Sequence, residues 1–98
     1  MAYRIEWTEM FADNLAELIE NFKQYKSKKK AKEILDTVFD KTDLLKNNPK
    51  MGRPSKTQNV RSISLNPDYR MYYTITSEEI QMLTIFFMRT DPDKNPFE

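Results

Sequence analysis

Three strand-like segments follow one another between Asn59 and Lys94, separated by two short turns, and nothing else in the chain narrows its fold so far. Val60 to Leu65 reads as the first strand and Asn66-Pro67-Asp68 as a turn. Tyr69 to Thr76 is the second strand, and Ser77-Glu78-Glu79 turns tightly into the third, Ile80 to Met88. Two successive hairpins make an antiparallel meander. On the middle strand, a period of two puts Met71, Tyr73 and Ile75 on one face and Arg70, Tyr72 and Thr74 on the other. The apolar set needs a covering layer, so Arg70 and Tyr72 are expected on the face left for partners. Each strand also carries or ends on an arginine: Arg61, Arg70 and Arg89. A guanidinium stays charged and offers a planar fork of donors suited to phosphate or carboxylate. Three of them gathered on one small sheet would repel one another unless an anionic partner offset the repulsion.

The covering layer is written upstream. Tyr3, Ile5 and Trp7 alternate with Arg4 and Glu6, the pattern of a half-buried strand, and Trp7 is expected in the core. Thr8 can cap a helix whose positive end Glu9 and Asp13 complement. Phe11, Leu15, Leu18, Ile19 and Phe22 form its apolar stripe. Ser27 is a possible cap for a second helix, with a stripe from Ala31 through Ile34, Leu35, Val38, Phe39 and Thr42 to Leu45. That helix stops near Asn47, because Pro49 disfavours helical geometry at Asn48. A short connection makes the pair an antiparallel helical hairpin. Strand, helix, helix and three strands in that order predict a single α+β domain over residues 1–98, a two-layer sandwich. Asn48 to Asn59 shows no periodicity and is expected as a surface loop. Thr90 to Glu98, with its two prolines, is expected as a tail laid on the surface.

Composition removes several kinds of chemistry. With no cysteine and no histidine there is no thiol nucleophile, no thiolate zinc site and no imidazole base. No metal and no cofactor is expected, and any catalysis falls to Arg, Lys, Tyr, Ser or a carboxylate. No apolar run approaches the roughly 18–20 residues that span a bilayer, and no signal-peptide h-region opens the sequence. A soluble, cytoplasmic protein is therefore the expectation. The formal net charge of +1 gives no general attraction to nucleic acid or membrane. Its layout is uneven, however. Acids dominate from Glu6 to Glu20, five lysines cluster from Lys26 to Lys32, and every charge from Lys50 to Arg61 is basic.

Across its whole length the chain resembles the RelE/ParE superfamily of bacterial type II toxins. The resemblance rests on the opening YRIEW, on two helices ending before NNPKMGRP, on VRSISL, on DYRMYYTI and on the closing IQMLTIFFMRTDPDK. It is most similar to the plasmid-stabilisation group, which closes on a strand, an arginine and a proline–lysine tail. The resemblance implies a cytoplasmic growth-inhibiting toxin bound by a cognate antitoxin in a hetero-oligomer, with no membrane partner. RelE-like members cut messenger RNA on the ribosome, whereas ParE-like members inhibit DNA gyrase by binding. Arg70 and Arg89 match the two arginines of the RelE-like nucleases and would be catalytic only in an RNase. Ser62 and Ser64 stand where those nucleases carry paired lysines, and Phe97 is the only aromatic residue after Arg89, where they carry a tyrosine. The departures favour gyrase binding, with the ribosome-dependent endoribonuclease as the alternative. In either mode Arg61, Arg70, Tyr72, Arg89 and Lys94 are the residues expected to meet target or antitoxin, with Lys56 a further source of charge.

Overall fold

The alternation over residues 3–7 yields a short strand, β1 (Arg4–Trp7), and the stripe after it yields helix α1 (Glu9–Tyr25). The computed structural model describes residues 2–98. Thr8 caps α1 as expected, its hydroxyl oxygen accepting from the Phe11 N–H. The same hydroxyl donates to the Met82 carbonyl at 2.7 Å, so one side chain both starts the helix and ties it to the sheet. Ser27 caps α2 (Lys28–Asn47) through the Lys30 N–H at 3.0 Å. Pro49 then opens a 3-10 turn, Pro49–Met51, where it cannot continue the helix.

Four more strands follow: β2 (Arg53–Pro54), β3 (Val60–Asn66), β4 (Tyr69–Ile75) and β5 (Glu79–Phe87), and then a 3-10 turn, Pro92–Lys94. The sheet order is β1-β5-β4-β3-β2. β1 runs parallel to β5 and the other neighbours are antiparallel. The meander and the two-layer α+β architecture stand as expected. The segment Asn48–Asn59 does not stay a plain loop, because Arg53 and Pro54 pair with Ser62 and Arg61 to add an edge strand. A proline is tolerated there because an edge leaves its missing N–H unneeded.

Both helices cover one face of the sheet. Phe11, Leu18 and Phe22 of α1 and Ile34, Val38 and Leu45 of α2 pack on Ile63, Met71, Tyr73, Ile80, Met82 and Ile85. Met71 and Tyr73 are fully buried, and Ile75 is partly buried against the same cluster. The pairing of β4 with β5 shifts at the centre. Tyr72 faces Thr84 and Tyr73 faces Met82, leaving Leu83 as the extra residue of a bulge. There Asn14 of α1 accepts from the Thr84 hydroxyl and from the Ile85 N–H, the latter at 3.2 Å. Trp7 is a correction, since it is 38% exposed rather than in the core. It ends a four-residue edge strand, where the rings of Phe11 and Phe39 lie against it.

Candidate functional site

On the face away from the helices, strand register assembles a basic cluster. Arg53 of β2 is opposite Ser62 of β3, and Ser62 is opposite Tyr72 of β4, so the three stand in a row across the sheet. Arg70 lies one pleat along, opposite Ser64 on one side and Phe86 on the other. Its Nε donates to Ser62 Oγ at 3.1 Å, and its Nη2 donates to the Ser62 carbonyl at 3.3 Å. Ser62 is fully buried, so this anchor is fixed. The remaining guanidinium N–H groups have no acceptor among the described residues. Burial and then the neighbouring Arg53 charge pull the Arg70 pKa down, while Tyr72 and Glu98 oppose them. An arginine so perturbed still carries its charge at neutral pH.

The tail closes over this row. Tyr72 donates its hydroxyl to Glu98 Oε2 at 3.1 Å and accepts from Asn95 Nδ2 at 3.0 Å. The Phe97 ring stacks on the Tyr72 ring, with centroids 5.4 Å apart and planes 29° apart. Thr57 binds the Phe97 carbonyl twice, through its N–H and its hydroxyl, each at 3.1 Å. Glu98 Oε1 accepts from the Lys56 N–H at 3.1 Å, and Arg53 Nη2 stands 4.0 Å from Glu98 Oε2. Tyr72, expected to be open to partners, is on the expected face but fully covered. Burial is the main reason its phenol pKa is pushed up; the Asn95 bond works against this and Glu98 adds to it. Alternation along β4 identifies a face, but it cannot tell that a segment 23 to 26 residues after Tyr72 returns to cover it.

The other predicted side chains lie elsewhere. Arg61 is opposite Tyr73, so it leaves the sheet on the helix side and donates from Nη1 to the Gly52 carbonyl at 2.7 Å. It braces the loop after α2. Arg89 pairs with Asp68 at the β3–β4 turn. It lines a depression with Phe22 of α1, Lys26 between the helices and Lys30 of α2, and with Tyr69 and Phe87. Lys94 is exposed on the 3-10 turn and makes no side-chain bond among the described residues. The three arginines are therefore not gathered at one surface: Arg70 alone of them occupies the open face.

Its companion is Arg53, which lies in the basic stretch from Lys50 to Arg61, within the segment expected as a surface loop. The signal was faint. Asn59, at φ 67°, makes the tight turn that folds β2 back onto β3, and only that turn brings Arg53 beside Ser62. Gly52 sets its approach. Its N–H donates to the Tyr73 hydroxyl at 3.0 Å, and a Cβ there would collide with that hydroxyl and lie 2.8 Å from the Ser62 carbonyl. The result is one guanidinium, that of Arg53, with a phenol and a backbone N–H converging on the Glu98 carboxylate, and the Arg70 guanidinium held beside them by Ser62. Such a surface has the charge and donors that suit an anion. Among the described residues no group of three or more His, Cys, Asp or Glu is placed to hold a metal.

A small sheet backed by a helical hairpin, with a basic open face, is the architecture of the RelE/ParE class of type II toxins. The model of the ParE toxin of the type II toxin–antitoxin system parDE matches residues 5–92, and the chain belongs to that family. Among solved structures it is similar to the chromosomal ParDE system from P. aeruginosa, at 22% identity and a TM-score of 0.77, covering 88% of this chain and 96% of that one. It is also similar to the DinJ–YafQ toxin–antitoxin complex of E. coli, at 15% identity and a TM-score of 0.62, covering 89% and 93%. The RelBE2 toxin–antitoxin complex from Mycobacterium tuberculosis matches at 16% identity and a TM-score of 0.61, covering 89% and 99%. No curated protein gives a significant match. The chain is thus a toxin of a type II toxin–antitoxin system. No helix among the described residues is long and apolar enough to cross a membrane.

Proposed function

We propose that this toxin arrests bacterial growth by binding DNA gyrase through the open face of its sheet, and that a cognate antitoxin neutralises it by covering that face. The observation that carries the proposal is the separation of Arg70 from Arg89. Cutting RNA with its 2′-hydroxyl as nucleophile needs a base, a clamp on the phosphate and an acid for the leaving oxygen. Arg70 points to the open face while Arg89 is held by Asp68 toward the helices, so the two do not close on one phosphate. Where the nucleases carry paired lysines this chain has Ser62, committed to Arg70, and Ser64, bonded to the Asn66 carbonyl. Binding requires only a shaped, charged surface, which Arg53 and Arg70 provide. Membership of the ParE family supports the same mode.

One observation favours a second reading, a ribosome-dependent messenger RNA endoribonuclease. Glu98 and Tyr72 share a hydrogen bond of 3.1 Å beside Arg53, giving a carboxylate and a phenol next to basic groups. The toxin–antitoxin complexes among the neighbours support an antitoxin partner here, in a hetero-oligomer. A supercoiling assay with purified gyrase tests the proposal. The chain inhibits supercoiling, and Arg70→Ala weakens inhibition by at least about tenfold, the scale of an arginine anchor that a partner buries, with the fold intact. Cleavage of messenger RNA in a translating extract, with gyrase unaffected, would put the second reading in its place.

A further inference from the structure

We propose that the open face carries a peptide-reading subsite for a carboxylate preceded by an aromatic ring, filled in cis by Phe97 and Glu98 until a partner segment of the same chemistry displaces them. The subsite is built from β2, β4 and the β2–β3 turn. Thr57 reads a main-chain carbonyl with two donors, Tyr72 offers a flat ring, and the Lys56 N–H and the Tyr72 hydroxyl hold one carboxylate. A ring and the carbonyl of the same residue, followed by an acid, specify a residue pair in an extended polypeptide. A nucleotide would stack on Tyr72 and put its phosphate near Arg53, but its carbonyl oxygens lie in the plane of the stacked base, not on a separate main-chain unit as the Phe97 carbonyl does. Asn95 is itself 94% buried by its 6% exposure, and it fixes the Tyr72 hydroxyl from below while accepting from the Phe97 N–H at 3.0 Å.

The cis occupant leaves part of the subsite unused. Arg53 stays 4.0 Å from Glu98 with a side chain 60% exposed, and the spare N–H groups of Arg70 meet no acceptor among the described residues. A partner segment with a second acid beside its glutamate engages both guanidiniums, which Glu98 alone does not. That difference is what lets a segment in trans displace a tethered one. The inference rests on the open face being the partner surface. Its test uses the isolated protein, without gyrase or cells, so either can fail alone.

The probe is the peptide acetyl-Asn-Pro-Phe-Glu-amide, titrated into full-length chain while the Lys56 and Thr57 amides are followed by NMR. In the double variant Phe97→Ala, Glu98→Gln the cis segment is weakened, and the peptide shifts both amides saturably. Wild-type chain binds it at least about tenfold more weakly, because a tethered segment competes at an effective concentration on the order of millimolar. A glutamine in place of the peptide's glutamate weakens binding by about tenfold, through loss of the charge-assisted hydrogen bonds. The single variant Glu98→Gln keeps the Phe97 contacts, is expected to fold as wild type and falls between the two. Equal binding to wild type and double variant overturns the proposal, as do equal binding of the glutamine peptide and no binding at all. If a short RNA oligonucleotide moves the two amides and the peptide does not, the subsite reads nucleic acid instead.

Discussion

Tyr73→Phe removes a single oxygen from the centre of the molecule, and its cost follows from two bonds. That oxygen donates to the Pro49 carbonyl at 2.7 Å and accepts from the Gly52 N–H at 3.0 Å. Tyr73 is fully buried and Gly52 is buried, so water does not easily replace the lost acceptor. An orphaned buried N–H costs about 1–3 kcal/mol, and the partly buried Pro49 carbonyl loses the smaller net value of an ordinary bond, so the variant should lose about 2–3 kcal/mol. For a domain of this size that lowers the unfolding temperature by about 10–20 °C. Urea unfolding followed by circular dichroism measures it, with an unchanged slope marking a true stability loss. Gly52→Ala should reach at least the same loss, because its Cβ meets the same hydroxyl while its backbone angles are ordinary. Both variants loosen the loop just before Arg53, so they should also weaken activity at temperatures where the fold survives. A loss below about 0.5 kcal/mol for Tyr73→Phe, half a typical hydrogen bond, would refute the reasoning.

Three further outcomes follow from the same geometry. Asn14→Ala strips the acceptor from the Ile85 N–H and the Thr84 hydroxyl at the bulge and should cost about 2 kcal/mol, read by urea unfolding. Burial raises the pKa of Tyr69, Tyr72 and Tyr73, in Tyr69 with help from Asp68, so their contribution is intact below the ordinary tyrosine value near about 10 and is lost as pH rises through the folded values. The urea midpoint should therefore fall steadily above about pH 10, and a flat midpoint to about pH 12 would contradict it. Arg89→Ala breaks an exposed pair, whose partners are 73% and 38% exposed, and should change stability by less than about 1 kcal/mol. Gyrase inhibition by that variant should stay within about threefold of wild type, as for a rim contact.

The layers of this fold were legible because local signals agreed: Thr8 and Ser27 at the helix starts, Pro49 at the end of α2, and alternation along β4. The assignment of Arg70 to the open face followed from the same alternation. What escaped was set by contacts distant in sequence. Arg53 joins Arg70 only because a left-handed Asn59 folds a two-residue strand onto β3, a pairing too short to leave a periodic trace. Tyr72 is hidden by Phe97, twenty-five residues later, and no property of the strand itself predicts that cover. The arginines looked like one cluster because each belongs to a strand. Yet Arg61 alternates to the helix side and Arg89 lies past the end of β5, so membership of a sheet did not make them neighbours.

Pulse labelling of DNA and protein synthesis in the first minutes after tightly controlled expression in bacteria tests the central claim most directly. A toxin that acts through gyrase should stop DNA synthesis while protein synthesis continues, and Arg70→Ala should abolish the block. Protein synthesis falling first, with DNA synthesis intact, would contradict the account and move the Glu98–Tyr72 pair from a binding surface to a reaction centre.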